Sequence, residues 1–121
     1  MDATTSANKP LMAGKTILGE LAPISKLSPA RLDELAGVAV LEKVSQSLDP
    51  TRMSEQGVEA LYLIKGDLGI RYENGKKLVL RGGSPAAKHP IDSERLRIKD
   101  TIAITPIEVV RIDLDLLDIM L

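Results

Sequence analysis

The 121-residue sequence contains no cysteine, no phenylalanine and no tryptophan. Without cysteine, disulfides, thiolate metal sites and cysteine nucleophiles are excluded. One histidine, His89, is too few for the common zinc sites. With only two tyrosines, the chain offers almost no aromatic surface on which a single-stranded nucleic acid could stack its bases. The core must therefore be built from aliphatic side chains.

An excess of charge of one sign is also missing. Sixteen basic and 17 acidic residues give a net charge of −1, so the totals attract neither a nucleic-acid backbone nor an anionic membrane. No apolar run approaches the roughly 20 residues that span a bilayer. The N-terminal segment MDATTSANKP lacks the hydrophobic stretch of a signal peptide. We expect a cytoplasmic protein with no nucleic-acid and no membrane partner.

The best-defined element is a β-hairpin within Leu61–Gly83. Apolar residues alternate on both sides of Glu73-Asn74-Gly75, and Asn-Gly is a strong hairpin signal. A two-residue loop would pair Ile70 with Val79 and place charges opposite the apolar face. A three-residue loop pairs Ile70 with Leu78 and keeps the apolar side chains together. Because a one-residue slip turns every side chain to the other face, we predict the three-residue loop, with its glycine in the left-handed conformation.

The rest of the chain predicts short strands between two helices. Ser28 is a natural N-cap and Pro29 suits the first helical position, so a helix is expected from Pro29 to about Gly37. A second helix is expected after Asp113, where acidic residues suit a helix N-terminus. Residues 1–13 are polar and small and are predicted to form a flexible tail. Strands are predicted within 38–46, 96–104 and 107–112.

In the order of these elements the chain resembles the cyclic-nucleotide-binding domain family, in a diverged, catabolite-activator-like form. Leu27-Ser28-Pro29 looks like the family's entry helix, and Ala60–Leu68, ALYLIKGDL, is similar to its "LY-x-I-x-x-G-x-V" strand and turn. Ile107–Asp113 resembles its closing strand. The resemblance implies a mainly β fold, a double-stranded β-helix (jelly roll) flanked by short N- and C-terminal helices, over residues 14–121. The apolar end Ile119-Met120-Leu121 predicts either that the chain is the N-terminal part of a longer protein with an output domain or that this face docks on a partner.

The same resemblance implies a ligand site. In the family's phosphate-binding cassette a short helix begins at Phe-Gly-Glu; its backbone N–H groups and an arginine hold the cyclic phosphate, and the glutamate holds the ribose hydroxyl. Aligned from Gly83, the cassette has Pro85 at the phenylalanine, Ala87 at the second glycine and Lys88 at the glutamate. Counting back from the closing strand places Arg97 at the arginine. The candidate site residues are Gly83, Ser84, Ala87, Lys88, Arg97 and Lys99.

Three of these residues disfavour a cyclic nucleotide. Lys88 donates hydrogen bonds where an acceptor was needed, Ala87 adds a Cβ where the backbone approaches closely, and Lys99 enters a position that is normally small. Each change costs about 1–3 kcal/mol if its group loses its partner. We therefore expect weak affinity for cyclic AMP and cyclic GMP. Lys88 and Arg97 are either a rewired pocket for another nucleotide or small anion, or two solvated charges.

Two functions are compatible with the sequence. One is a regulatory, signal-transduction module with a degenerate cassette. The alternative is a ligand-free interaction or dimerisation module, which needs an exposed apolar stripe on the C-terminal helix; its candidates are Leu116, Leu117, Met120 and Leu121. No serine–histidine–acid spacing and no paired-carboxylate motif predicts an enzyme. His89 is interpreted as a loop histidine, and Asp113, Asp115 and Asp118 as capping or solvated acids rather than metal ligands.

Overall fold

The computed structural model describes residues 11–52, 59–91 and 97–121. Within them lie seven strands: β1 Leu11–Met12, β2 Val40–Val44, β3 Glu59–Lys65, β4 Asp67–Tyr72, β5 Lys77–Arg81, β6 Ile98–Ala103 and β7 Ile107–Asp113. The α-helices are α1 Gly14–Leu18, α2 Pro29–Ala36 and α3 Leu114–Met120. Short 3-10 turns cover Ile24–Lys26, Pro50–Arg52 and Pro85–Lys88.

The strands form two antiparallel sheets, one in the order β1-β2-β7-β3 and one in the order β5-β4-β6. After the short β1, two helices precede the other strands, and one helix follows them. This architecture confirms the predicted mainly β fold with short flanking helices.

The hairpin has the predicted register. Ile70 pairs with Leu78, and the Tyr72 N–H donates to the Lys76 carbonyl at 2.9 Å. Three residues therefore form the loop, and Gly75 lies in the left-handed region with φ +89°. The Asn74 side chain accepts a hydrogen bond from the Lys76 N–H, which closes the loop. Apolar alternation and turn chemistry were sufficient to predict this element.

Both predicted helix caps are present. The Ser28 hydroxyl accepts from the Arg31 N–H at 3.2 Å, and Pro29 occupies the first helical position of α2. The Asp113 carboxylate accepts from the N–H groups of Asp115 and Leu116 at 2.8 and 3.1 Å. These bonds satisfy backbone donors that have no partner inside a helix.

The four-stranded sheet is buried on both faces, which creates two cores. On one face it packs against the helices, and this helix-side core contains Ala13, Leu18, Leu21, Ile24, Leu35, Ala39, Leu41, Ala60, Tyr62, Val110, Ile112 and Leu117. On the other face it packs against the three-stranded sheet, and this roll core contains Val44, Leu61, Leu63, Leu68, Ile70, Tyr72, Leu80, Ala87, Ile91, Ala103, Ile107 and Val109. Successive residues of β7 alternate between the two, so Val109 and Val110 are both fully buried.

The predicted N-terminal tail lies mostly outside the described residues. Its last three residues are placed by the structure: Leu11 and Met12 pair with β2, and Ala13 is buried in the helix-side core. The Ala13 N–H donates to the Ala39 carbonyl at 3.0 Å. Backbone pairing therefore already begins at Leu11, where the sequence predicted a flexible chain.

Strand β6 packs Ile98 against the roll core and then buries two smaller side chains, Thr101 and Ala103. The sequence showed alternation at Leu96, which lies outside the described residues, and at Ile98, Ile102 and Ile104. In the structure Leu68 pairs with Ala103, whose side chain is buried, whereas Ile102 and Ile104 remain 49% and 42% exposed on the outer face of the sheet.

A polar contact places Thr101 inside the roll. Its hydroxyl and N–H donate to the Asp49 carboxylate, which also accepts from the N–H and hydroxyl of Thr51. Burial alone would raise the pKa of Asp49, but the four hydrogen bonds outweigh it and hold the pKa below its ordinary value. The hydrogen bonds of Asp49 therefore connect the segment after β2 to β6.

The prediction of an exposed apolar stripe on the C-terminal helix was wrong for three of its four residues. Leu117 is buried, and Leu116 and Met120 pack against the helix-side core. Because α3 begins directly after β7, it returns over the helix-side face of the sheet and buries those residues there. The exposed apolar side chains of this segment are Leu114, Ile119 and Leu121.

Two glycines with similar backbone conformations allow a matched test of crowding. Gly66, at φ +93°, would place an added Cβ 2.5 Å from the Pro106 carbonyl oxygen, whereas Gly75, at φ +89°, has open space around it. Gly75→Ala should cost about 1–2 kcal/mol of unfolding free energy from backbone strain alone. Gly66→Ala should cost about 1–3 kcal/mol more, because the Pro106 backbone must also move. Urea unfolding of both variants measures the difference, and equal losses would contradict the close packing at Gly66.

Candidate functional site

The segment aligned with the phosphate-binding cassette forms the 3-10 turn Pro85–Lys88, which we call the cassette turn. It follows Gly83, whose φ of +84° reverses the chain after β5. The Ser84 hydroxyl and N–H both donate to the Arg81 carbonyl, at 2.6 and 3.2 Å. Proline at the start of the turn and alanines after it leave few side-chain polar atoms on this segment.

The end of the cassette turn is hydrogen-bonded to the helical side of the protein through Ala22. The Ala22 N–H donates to the Lys88 carbonyl at 2.8 Å, and the Ala22 carbonyl accepts from the Tyr62 hydroxyl, also at 2.8 Å. Tyr62 is fully buried, as predicted, and this burial raises its pKa to about 12. One residue therefore joins the cassette turn to β3.

A half-open cavity of about 280 Å³ lies between the three-stranded sheet and the segment from the cassette turn onward, and Leu78, Ala86 and His89 on its wall are exposed. We call it the roll cavity. It is lined by Ile70, Tyr72, Leu78, Leu80, Ala86, His89, Pro90 and Ile91. Among these described residues the imidazole of His89 and the phenol of Tyr72 are the polar side chains. The lining offers apolar contact and little charge.

Four of the six candidate site residues line a different cavity. This helix cavity, of about 150 Å³, lies between the cassette turn, α1 and β3, on the helical side of the sheet. It is lined by Ile17, Glu20, Leu21, Leu63, Ile64, Gly83, Ser84, Ala87 and Lys88. The structure therefore brings Gly83, Ser84, Ala87 and Lys88 together, and it places Glu20 on the wall of the same cavity.

The other two candidate residues lie elsewhere. Arg97 is exposed, and its carbonyl accepts from the Glu73 N–H at 2.9 Å, which places it beside the tip of the hairpin. Lys99 is an exposed residue of β6. Neither lines the roll cavity or the helix cavity. The predicted facing of Lys88 and Arg97 across one anion pocket stays a prediction, and no described cavity contains both.

Two open grooves were not predicted from the sequence. The larger, about 760 Å³, crosses the outer face of the three-stranded sheet over Gly69. The Arg71–Asp100 ion pair lies on its rim, and the hydrogen bond from Arg71 lowers the pKa of Asp100. A second groove of about 550 Å³ includes Lys43 and Lys65. The sequence contains one signal for the larger groove, which is Gly69 in the middle of a strand. Such a glycine often marks a close approach or a missing side chain.

Known proteins share the fold although their sequences are distant. No family model matches the sequence, and no curated protein matches it by sequence comparison. The sensor domain of the transcriptional regulator DNR from Pseudomonas aeruginosa superposes with a TM-score of 0.64 at 20% identity, over 88% of this chain and 79% of that one. A cyclic nucleotide-binding-like protein from Brucella abortus gives 0.60 at 17% identity, over 88% and 95% of the two chains.

The chain has the cyclic-nucleotide-binding-like fold. A third structure, the regulatory domain of Toxoplasma gondii PKA with cAMP, gives a TM-score of 0.63 at 13% identity. It shares 88% of this chain but only 42% of its own length.

Within this cyclic-nucleotide-binding-like fold, the described residues contain no group of three side chains suited to bind a metal ion. No helix in the described ranges is long and apolar enough to cross a membrane.

Tyr62→Phe tests the hydrogen bond to Ala22 and the burial of the phenol. A tyrosine in an unfolded chain has a pKa of about 10, so the neutral phenol stabilises the folded state fully below that pH. This contribution is lost as the pH rises towards the folded pKa of about 12. We expect Tyr62→Phe to cost about 1 kcal/mol at pH 7 and to show a smaller loss of stability between pH 10 and 12 than the wild type. Urea unfolding across that range measures both; parallel profiles would contradict the burial.

Proposed function

We propose that this domain is a regulatory sensor module that does not recognise the phosphate of cyclic AMP or cyclic GMP in the usual way. The similar structures include the sensor domain of a transcriptional regulator and the regulatory domain of a kinase. Their identity to this chain is 20% or less, so the proposal depends on the chemistry of this chain's own cavities.

The observation that carries the proposal is the lining of the roll cavity. Its described walls are aliphatic except for Tyr72 and His89, and no described lysine, arginine or glutamate lines it. A phosphate bound there would give up part of its hydration and meet no charged side chain among the described lining residues, which is unfavourable. A small apolar molecule would instead gain by burial. The cavity volume of about 280 Å³ is near the lower end of the range for small-molecule sites.

Two residues of the cassette turn also support the proposal. Ala87 is buried in the roll core, so its methyl group fills space that the family's cassette leaves to a glycine. Lys88 lies on the wall of the helix cavity with Glu20, rather than on the wall of the roll cavity. Both positions support the proposal that neither residue recognises a ribose or a phosphate inside the roll.

Occupancy of the roll cavity would reach the helices through Ala22. Ala86 lines the cavity, and the same turn ends at the Lys88 carbonyl, which accepts from the Ala22 N–H. Tyr62 donates to the other side of Ala22 and lies in the helix-side core with Leu117 of α3. A shift of the cassette turn would therefore change packing under the C-terminal helix, where an output domain could detect it.

A thermal-shift panel tests this proposal. We expect no shift with cyclic AMP, cyclic GMP, cyclic dinucleotides or inorganic phosphate at about 1 mM, and a rise with small apolar probes such as indole. A ligand at ten times its Kd adds about 1.4 kcal/mol of stability, which raises the melting temperature of a domain this size by several degrees. Tight cyclic AMP binding would overturn the proposal.

A matched pair of variants identifies the site of any response. Leu78 lines the roll cavity and Leu48 does not, although their exposures are 46% and 45%. Leu78→Trp should reduce the shift with indole, because the larger side chain occupies the cavity, and Leu48→Trp should leave it unchanged. A flat response of the wild type to every compound would instead favour a ligand-free module.

That ligand-free module is the second candidate function, and one observation favours it. Leu114, Ile119 and Leu121 expose 40%, 75% and 57% of their surfaces on or just after α3. Exposed apolar side chains on one short segment are typical of a protein-interaction surface. A second copy of the chain is the partner that this candidate predicts.

Sedimentation velocity of Ile119→Glu tests the second candidate. If α3 mediates dimerisation, the wild type should contain dimer at high protein concentration and the variant should be largely monomeric, because a buried unpaired carboxylate is costly. Ile104→Glu is the control, since Ile104 is also exposed but lies after β6. A monomeric wild type would argue against this function.

A further inference from the structure

We propose that the free edge of β5 binds an extended acidic segment of a partner protein, which adds a fourth strand to the β5-β4-β6 sheet. This surface shares Leu78 with the wall of the roll cavity, but the proposal does not require that cavity to be filled. It arises from three features of β5: unpaired main-chain groups, exposed apolar side chains and flanking cations.

The hydrogen bonding of the hairpin shows which main-chain groups of β5 are free. The pairs Tyr72–Lys76 and Gly66–Gly82 are hydrogen-bonded, and such pairs recur at every second residue of an antiparallel ladder. The main-chain groups of Leu78 and Leu80 therefore point to β4. The main-chain groups of Lys77 and Val79 point away from β4. Among the described elements, β5 has no second partner strand. An added strand could hydrogen-bond to these outward groups directly.

The free edge has a defined end. The Arg81 carbonyl already accepts from the N–H and hydroxyl of Ser84. Beyond it, the chain leaves the sheet through Gly82, where an added Cβ would lie 2.5 Å from the Lys65 Cα, so this end packs closely against β3. A partner strand therefore has about five residues of β5 to pair with, from Lys77 to Arg81.

The middle of this edge is apolar and exposed. Val79 is 52% exposed and Leu78 46% exposed. On the outer face, Val79 lies beside Gly69, which in turn pairs with Ile102, so the apolar row continues across the sheet. A partner strand with apolar residues opposite Leu78 and Val79 would cover both side chains.

The two ends of the edge are cationic. Lys77 lies opposite Arg71 in the strand pair, and Arg71 forms an ion pair with Asp100. Lys77 itself makes no ion pair within the described ranges. Arg81 lies 4.0 Å from Asp67, with 77% of its side chain exposed. Acidic residues opposite both ends would find cations that are not fully neutralised. Both ends of β5 are positively charged. A partner segment with acidic residues at its two ends and apolar residues between them therefore fits in either strand direction.

The same charges exclude a second copy as the occupant. If two β5 strands paired antiparallel about Val79, Lys77 of each copy would lie opposite Arg81 of the other. Like charges directly opposite each other destabilise a strand pair, and cations at a sheet edge are a common protection against self-association. Charge complementarity therefore favours an acidic partner.

Fluorescence anisotropy with short labelled peptides tests the proposal. The probe is Glu-Val-Ile-Val-Glu between Gly-Ser flanks, and its five central residues read the same in both directions. We expect saturable binding to the wild-type chain that weakens with added salt. The matched peptide Lys-Val-Ile-Val-Lys should bind roughly tenfold more weakly or not at all, and Glu-Ser-Ser-Ser-Glu should also lose binding.

Three variants distinguish strand addition from general charge attraction. Lys77→Glu should weaken binding of the acidic peptide and improve binding of the lysine peptide, whereas Lys43→Glu, an exposed change on β2, should alter neither preference. Val79→Pro removes an outward N–H without removing a bond to β4, so it should lose binding while circular dichroism shows an intact fold.

Specific results would overturn the proposal. They are an absence of saturable binding to the wild type, equal binding of the acidic and lysine peptides, or equal binding of the serine-substituted acidic peptide. An equal loss of binding in Lys43→Glu and Lys77→Glu would also do so, because it would place the interaction away from β5.

Discussion

The burial of β7 on both faces is the constraint on which the rest of the structure depends. Val109 and Val110 are adjacent and both fully buried, which is possible only if an element covers each face of the sheet. The three-stranded sheet covers one face, and the helices cover the other. The helices are therefore part of the core rather than additions to the roll, and a change of packing on one face of β7 acts on the same strand that supports the other.

The two sheets differ in what they expose. Within the described ranges, β3 and β7 of the four-stranded sheet are covered on both faces, whereas the three-stranded sheet is covered on its inner face. Its outer face carries Ile102, Val79 and the Arg71–Asp100 ion pair around Gly69. The inner face supports the proposed sensing of a small apolar ligand, and the free edge of the same sheet supports the proposed binding of an acidic strand. Both proposals use β5, so an occupied roll cavity and a docked partner would act on one strand.

Local patterns predicted the elements that local chemistry controls. The register of the hairpin followed from alternation and from Gly75, and the cap of α2 followed from Ser28 and Pro29. Other predictions depended on which face of an element would be covered, and these were less successful. The stripe including Leu117 was expected to be exposed and is buried, because α3 folds back over the sheet. Ile102 on β6 and Ile104 just after it face outward, because a hydrogen-bonded threonine and a small alanine face the roll.

The candidate site divides in the same way between sequence and tertiary structure. By itself the sequence determined that positions 87 and 88 carry an alanine and a lysine, and their alignment with the family's cassette stays a prediction. Only the tertiary structure decided that Lys88 lines a cavity on the helical side, that Arg97 lies by the hairpin tip and that apolar walls surround the roll cavity. The physical reason is that a cavity is enclosed by residues distant in sequence, and their side chains are brought together only when the sheets pack.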